Sequence, residues 1–238
     1  MAVRVIDAKQ GLDHALSEAA AAIFDVCIKQ ATDTDLVIGL CGGRSVVGLL
    51  SALEKEAVRQ PAELLRRLHF YMVDERLVPL ADEQSNFGGL KRQLFDSLIE
   101  RKFIDESQLH PFVPDPSLPD WGCSRYGESL KQRGGKFTVA VVGVGEDGHI
   151  AGLFPAHPIL KETGALFASF TDSPKPPAGR MSAAPPLLTS ADLAIVLVLG
   201  DAKRGAWRSF NDVSESAERC PAKLATRARE CLVVTDLG

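Results

Sequence analysis

No two of the five cysteines (Cys27, Cys41, Cys123, Cys220 and Cys231) stand in a C-x-x-C pair, and the number is odd. That spacing fits neither a disulfide framework nor a zinc site, and it suits a reducing cytosol. No apolar stretch approaches the roughly 20 residues a membrane helix needs. The start, Met1-Ala-Val-Arg-Val-Ile-Asp7, has no apolar signal core. No run of Lys and Arg interrupts a net charge of −4, so no basic face is offered to a nucleic-acid backbone. Internal repeats, low-complexity tracts and a convincing linker are missing too. What remains is a soluble, cytoplasmic protein with no nucleic-acid or membrane partner. Its 45% hydrophobic and 24% charged residues are ordinary for a chain with a sizeable core. An acidic average still admits an anionic small molecule, because a few local cations suffice.

Apolar β-branched runs alternate with helical patterns, the signature of a mainly parallel sheet covered on both faces. Strands are expected at Val3 to Ile6, Leu36 to Cys41, Leu68 to Val73, Val139 to Val142, Ala165 to Phe170, Leu193 to Leu199 and Leu232 to Thr235. Helices are expected at Leu12 to Gln30, Val46 to Val58, Ser85 to Arg101 (with Ser85 or Asn86 as N-cap), Trp121 to Lys131 and Asp201 to Asn211. Four prolines from Pro111 to Pro119 mark an irregular connection, and Ser173 to Gly179 reads as a Pro-rich loop. The expected architecture is a single α/β domain over residues 1–238, doubly wound and Rossmann-like but without the dinucleotide fingerprint.

The most informative stretch is Val139 to Pro155, where a buried-strand pattern runs into Gly143, Gly145 and Gly148. At that turn stand Glu146, Asp147 and His149, and ligands of open α/β sheets bind at the carboxyl ends of strands. A histidine there can carry a proton near neutral pH. It is read as functional rather than as a satisfied core residue, with Asp147 orienting it, holding substrate hydroxyls or merely capping the turn. Glu146 is expected to face solvent.

Three further constellations surround this one. Gly39-Leu-Cys-Gly-Gly-Arg-Ser-Val46 is a strand-to-helix turn whose glycines can expose N–H groups to a phosphate or carboxylate, with Arg44 and Ser45 adding a charge and a hydroxyl. It also reads as a tight βα turn without ligand, and it matches neither G-x-G-x-x-G nor a P-loop. Asp74-Glu-Arg76 follows an apolar strand. Arg76 suits bidentate phosphate recognition or an internal pair with Asp74 or Glu75. Ser85-Asn86-Phe87 follows at loop distance and can cap the next helix or contact a ligand, capping alone being the favoured reading. Lys175, Arg180 and Lys203 lie near expected strand ends and can clamp an anion, although Lys175 reads best as a solvated surface residue. His14, His69, His110 and His157 receive no functional role, the last two lying beside prolines in loops. The cysteines read as buried small hydrophobes.

In this order the constellations resemble the 6-phosphogluconolactonase family, within the group of sugar-phosphate isomerases that includes glucosamine-6-phosphate deaminase. The likeness runs from about Leu36 to Lys203 and extends weakly to Pro221-Ala-Lys223. It rests on Asp74-Glu-Arg-x-Val-Pro79 with Ser85-Asn86, on Gly143-x-Gly-x-Asp-Gly-His149 with Leu153-Phe-Pro155, and on Pro174-Lys-Pro-Pro-x-x-Arg180. The resemblance implies a metal-independent, cofactor-free hydrolase of the oxidative pentose phosphate pathway. It opens 6-phosphoglucono-δ-lactone, a small sugar-phosphate partner, as a monomer or weak homo-oligomer. His149 matches the family's general base, with Asp147 beside it. Arg76, Arg180 and Lys203 would hold the phosphate or polarise the substrate, and Gly42, Gly43, Arg44, Ser45 and Asp74 would complete the binding site.

Two departures stand out. The family's Ser-Gly-Gly-Ser-Thr turn is Cys41-Gly-Gly-Arg-Ser45 here, and the polar β-branched run after the family Arg is Met181-Ser-Ala-Ala184. Among rivals, amino-sugar-phosphate deaminases usually follow the Asp-Gly-His turn with Asn-Glu-Pro, where this chain has Gly152-Leu-Phe-Pro155. Asp74 keeps part of that reading open, since a carboxylate there is the deaminase base. A non-catalytic sugar-phosphate sensor would normally carry a DNA-binding segment. An NAD-dependent enzyme is excluded by the spacing of Gly39 to Arg44.

Overall fold

The structure, a computed structural model, describes residues 3–9 and 11–238. In chain order its elements are β1 (Val3–Asp7), α1 (Leu12–Ile28), β2 (Leu36–Leu40), α2 (Val47–Ala57), α3 (Ala62–Leu65), β3 (Leu68–Met72) and β4 (Asp74–Arg76). There follow α4 (Asn86–Leu90), α5 (Asp96–Glu100), β5 (Leu109–His110), α6 (Cys123–Lys131), β6 (Val139–Gly143), β7 (Phe167–Phe170) and β8 (Arg180–Ala183). The chain ends through α7 (Pro185–Thr189), β9 (Leu193–Val198), α8 (Arg204–Asn211) and β10 (Glu230–Thr235). Seven strands form a parallel sheet in the order β1-β10-β9-β6-β2-β3-β5. Helices flank this sheet, as the alternation of patterns implied.

The central strands are continuous apolar runs because both of their faces are covered. β2 and β9 are buried at every residue. Burying β-branched side chains at about 25 cal/mol per Å² of apolar surface is the main term holding such a sheet together. α1 buries Ala15, Leu16, Ala19, Ala20, Ile23, Phe24 and Cys27, the helical spacing read in its sequence, and packs on α2. Among the described residues no helix is long and apolar enough to cross a membrane.

A second, antiparallel sheet, in the order β4-β8-β7, leaves the first where β3 ends. This sheet was not expected. From sequence, Asp74–Arg76 is expected as loop, Arg180–Ala183 carries no expected element, and Ala165 to Phe170 is a further expected strand of unassigned sheet. These short segments are strands because they pair with one another, not because of their own pattern. Their register sets Asp74 opposite Ser182 and Arg76 directly opposite Arg180. The helix expected from Ser85 to Arg101 forms, with Ser85 Oγ accepting the N–H of Gly88 as its cap at 3.0 Å. A π-helical stretch, Lys91–Phe95, interrupts it between α4 and α5.

His110 belongs to the edge strand β5 rather than to a loop. Arg133 pairs with Asp35 at 2.8 Å and approaches His69 Nε2 at 3.2 Å, while His69 Nδ1 meets His110 Nε2 at 3.0 Å. As Arg133 can only donate, His69 Nε2 accepts and its Nδ1 carries the hydrogen shared with His110. Burial, then the charge of Arg133, lowers both histidines, His110 to about 4; Asp35 opposes them. Both rings are therefore neutral in the folded state and protonate in the unfolded chain near pH 6.5. The stability they contribute is complete above that pH and is lost as pH falls below it, for His110 down to about 4. In urea titrations between pH 7.5 and 4.5, His110→Gln is expected to lose stability less steeply than wild type. Equal slopes would contradict the neutral pair.

Candidate active site

The glycine turn after β2, the β3–β4 junction, the turn after β6, the Pro-rich loop before β8 and the turn after β9 converge at the carboxyl edge of the sheet. They enclose a cavity of about 300 Å³, small-metabolite size. Lining it are the expected Gly42, Gly43, Arg44, Ser45, Asp74, Arg76, His149, Arg180 and Lys203. Asp147 stands behind His149. Cys41, Asn86, Phe154 and Lys175 also line the cavity; for Lys175 and Asn86 a ligand contact is the less favoured of the two sequence readings, and for Phe154 none is expected.

At the turn after β6, His149 Nδ1 meets Asp147 Oδ1 at 2.5 Å. Burial pushes the Asp147 carboxyl up, but the bond to His149 and the charges of His149 and Lys175 outweigh it and hold it well below the usual carboxylate range. Asp147 is therefore an acceptor, so Nδ1 carries the hydrogen and Nε2 is the basic nitrogen. The turn is tight around this couple. A Cβ on Gly145 would lie 2.0 Å from His149 Nδ1 and 2.6 Å from Asp147 Oδ1. The Phe154 ring covers the imidazole at a centroid distance of 4.7 Å. Glu146 is exposed, as expected.

Lys175, for which the solvated surface is the favoured expectation, instead turns its ammonium toward the His149–Asp147 couple. Its Nζ donates to Asp147 Oδ1 at 3.1 Å and lies 3.4 Å from His149 Nδ1. Its partner stands 28 residues away in the chain, beyond any local pattern. For Asn86 capping is the favoured expectation. Instead its Nδ2 donates to the Asp74 carbonyl at 2.9 Å and to Asp74 Oδ2 at 3.2 Å.

Asp74 and Glu75 serve different ends. Asp74 is 8% exposed and lines the cavity. Burial raises its carboxyl against the pull of Arg76, Arg180 and His149. Glu75 is fully buried and faces away from the cavity, accepting from the N–H groups of Arg76, Asn86 and Phe87 at 2.7–2.8 Å and from Ser85 Oγ at 3.1 Å. Among the described residues neither carboxylate forms an ion pair with the Arg76 side chain, which donates to the Gln84 carbonyl at 2.6 Å. The internal pairing allowed by the sequence does not form.

The cations crowd together. Arg76 and Arg180 face each other across the β4–β8 ladder, an arrangement that costs stability for like charges unless an anion sits nearby. Their Nε atoms are buried and, among the described residues, without a hydrogen-bond partner. Lys203, lowered by burial, donates to Ser45 Oγ at 2.6 Å. Gly43, at φ +98°, turns the backbone into the 3₁₀ turn Arg44–Val46, where glycine is at home. A Cβ on Gly42 would meet Asn86 Oδ1 at 2.0 Å, so the turn and α4 pack without space for a side chain. Burial pushes the Cys41 thiol up to about 12, which leaves it no thiolate nucleophile near neutral pH. All five cysteines are free and buried. Among the described residues no group of three or more His, Cys, Asp or Glu side chains is arranged to hold a metal.

Comparison with known proteins agrees with this geometry. The family model of glucosamine-6-phosphate isomerases/6-phosphogluconolactonase matches residues 9–234. The 6-phosphogluconolactonase of Borreliella burgdorferi is 35% identical over 200 residues, 84% of this chain and 83% of that protein. The human 6-phosphogluconolactonase is 34% identical over 221 residues, 90% of this chain and 82% of its own length. Among solved structures, 6-phosphogluconolactonase from Thermotoga maritima superposes with a TM-score of 0.81 at 21% identity, covering 98% of this chain and 99% of that one. A monomeric glucosamine-6-phosphate deaminase reaches 0.75 at 19% identity, covering 99% and 97%, so the fold is common to both activities. The match over nearly the whole chain, with two relatives above 30% identity, establishes that this chain belongs to the glucosamine-6-phosphate isomerase/6-phosphogluconolactonase family.

Proposed function

We infer that the chain hydrolyses 6-phosphoglucono-δ-lactone to 6-phosphogluconate, the step that opens the lactone in the oxidative pentose phosphate pathway. One observation carries the reading: the His149–Asp147 couple shares a single cavity with Arg44, Arg76, Lys175, Arg180 and Lys203. A base beside clustered cations suits a substrate with both a phosphate and an electrophilic carbonyl. The relatives above 30% identity are named for this activity. Where a deaminase carries its Asn-Glu-Pro segment, this chain places Phe154 against the imidazole, an apolar ring that transfers no proton.

The chemistry needs no covalent nucleophile. Nε2 of His149 takes a proton from water as the water oxygen attacks the lactone carbon. The carbonyl oxygen becomes an oxyanion, which a guanidinium stabilises, with Arg76 in that role. Collapse breaks the bond to the ring oxygen, and His149 returns its proton there. Asp147 holds the tautomer and balances the imidazolium formed meanwhile. Lys203, Ser45, Arg44 and the N–H groups of the Gly42-Gly43 turn form the phosphate end, with Arg180 and Asp74 between the two ends. Gripping the phosphate fixes the distant carbonyl at the base.

Unphosphorylated glucono-δ-lactone is therefore expected to be hydrolysed with kcat/KM at least about 10²-fold lower than the 6-phospho lactone, the anion contacts being lost. Equal rates on the two lactones would remove the phosphate end from the account. Acceleration of neither would remove the activity.

A further inference from the structure

Lys175 has a role that its place in a Pro-rich surface loop conceals. We propose that Lys175 is a positioning residue whose charge keeps the His149–Asp147 couple ready to accept a proton, a role that rests on His149 being the base. Asp147 Oδ1 serves two partners at once, His149 Nδ1 at 2.5 Å and Lys175 Nζ at 3.1 Å. The 3.4 Å approach of Nζ to Nδ1 is not a hydrogen bond, because Nδ1 already carries the hydrogen that Asp147 accepts. It becomes a confrontation of two cations whenever the imidazole gains a proton. One carboxylate then faces two positive charges. The ammonium therefore opposes the positive charge that the imidazole gains when it takes a proton.

The loop is built to hold Lys175 in place. Ser173 Oγ donates to the Lys175 carbonyl at 2.8 Å and accepts from its N–H at 3.2 Å. Arg180 donates to the Pro176 carbonyl at 3.0 Å. At the base of the loop Asp172 meets His157 Nε2 at 3.1 Å, while His157 Nδ1 accepts from the N–H of Ile159. His157 lies on the segment that follows the His149 turn, so this contact ties the loop carrying Lys175 to the segment carrying the base. A lysine whose side chain is 41% exposed has solvent open to it, yet its backbone is anchored at several points and its ammonium is turned inward.

The other charged groups near His149 are Asp147 on its own turn and, from β4 and β8, Asp74 flanked by Arg76 and Arg180. Phe154, over the ring, is neutral. All of these remain when Lys175 alone is changed, so the variant isolates one charge.

The test is the pH dependence of kcat/KM for 6-phosphogluconolactone from pH 5 to 8, with spontaneous opening subtracted. Wild type, Lys175→Met, Lys175→Arg and His149→Ala would be compared, each checked for folding by circular dichroism. The acid limb of Lys175→Met is expected about one pH unit above that of wild type, the size of effect a single close charge has at a partly exposed site. Lys175→Arg, which keeps the charge, should restore the wild-type limb. An unmoved limb in Lys175→Met overturns the proposal even if activity falls, and a higher KM alone would make Lys175 a substrate contact. If wild type shows no acid limb, or His149→Ala keeps its rate, the base assignment fails and this proposal with it. Those results differ from an unmoved limb in an enzyme that has one.

Discussion

His149→Ala is expected to lower kcat/KM for 6-phosphogluconolactone by at least about 10²-fold, because a positioned general base contributes about 10²–10⁴-fold. The loss should fall mainly on kcat. The proposed phosphate end, Ser45, Arg44 and Lys203 on other elements, does not depend on the imidazole. The fold should survive, since Asp147 keeps its bond to Lys175 at 3.1 Å when the ring is gone. Asp147→Asn tests the same couple from its other end. An amide that presents its N–H₂ to Nδ1 favours the tautomer whose hydrogen sits on Nε2, and the base is then blocked although the histidine is present. Kinetics of the two variants beside wild type, with thermal melts, check both statements. A variant without His149 that turned over at the wild-type rate would leave the lactonase reading standing and discard its mechanism.

The largest effect on stability is expected at a residue that touches no substrate. Glu75→Ala removes the acceptor of three backbone N–H groups and of Ser85 Oγ. Burial raises the Glu75 carboxyl against the pull of those N–H groups. Ser85, Asn86 and Phe87 are 3%, 4% and 6% exposed, so water cannot take the carboxylate's place. Each buried donor left without a partner costs about 1–3 kcal/mol. A net loss of about 4 kcal/mol follows, which for a chain of this size lowers Tm by about 10 °C. The damage reaches the site as well, because Asn86 holds Asp74 and its loop carries the carbonyl that anchors Arg76. A rise in KM for the lactone should accompany the lower Tm. Unchanged melting would mean that the loop from Gln84 to Phe87 is held by other contacts.

Much of the fold was legible because the strands of the large sheet are covered on both faces. Leu36 to Leu40, Val139 to Val142 and Leu193 to Val198 are apolar runs that only a buried strand explains, and the spacing in Leu12–Ile28 fits only a helix packed along one face. The small sheet was not legible, because Arg180-Met-Ser-Ala183 has no pattern of its own and is a strand only through pairing with Asp74–Arg76. β5 is two residues long, and the π-helical stretch at Lys91–Phe95 is a shift of hydrogen-bond register to which side-chain types give no clue. Within the site, the residues clustered at strand ends were legible because glycines, charges and a histidine together are costly to place there without use. Lys175 and Glu75 were not. Each takes its meaning from a partner brought near by the fold: Asp147 for the lysine, and the backbone of residues 85–87 for the glutamate. A sequence shows a charge, but not which distant group neutralises it.

Hydrolysis of a phosphorylated lactone in this cavity is tested by a side-by-side turnover assay. Freshly generated 6-phosphogluconolactone, with spontaneous opening subtracted, would be compared with glucosamine-6-phosphate followed by ammonia release. Fast opening of the lactone and no ammonia are expected. Ammonia release without acceleration of the lactone would contradict the lactonase reading, and would return Asp74 to the role of base in an amino-sugar-phosphate deaminase.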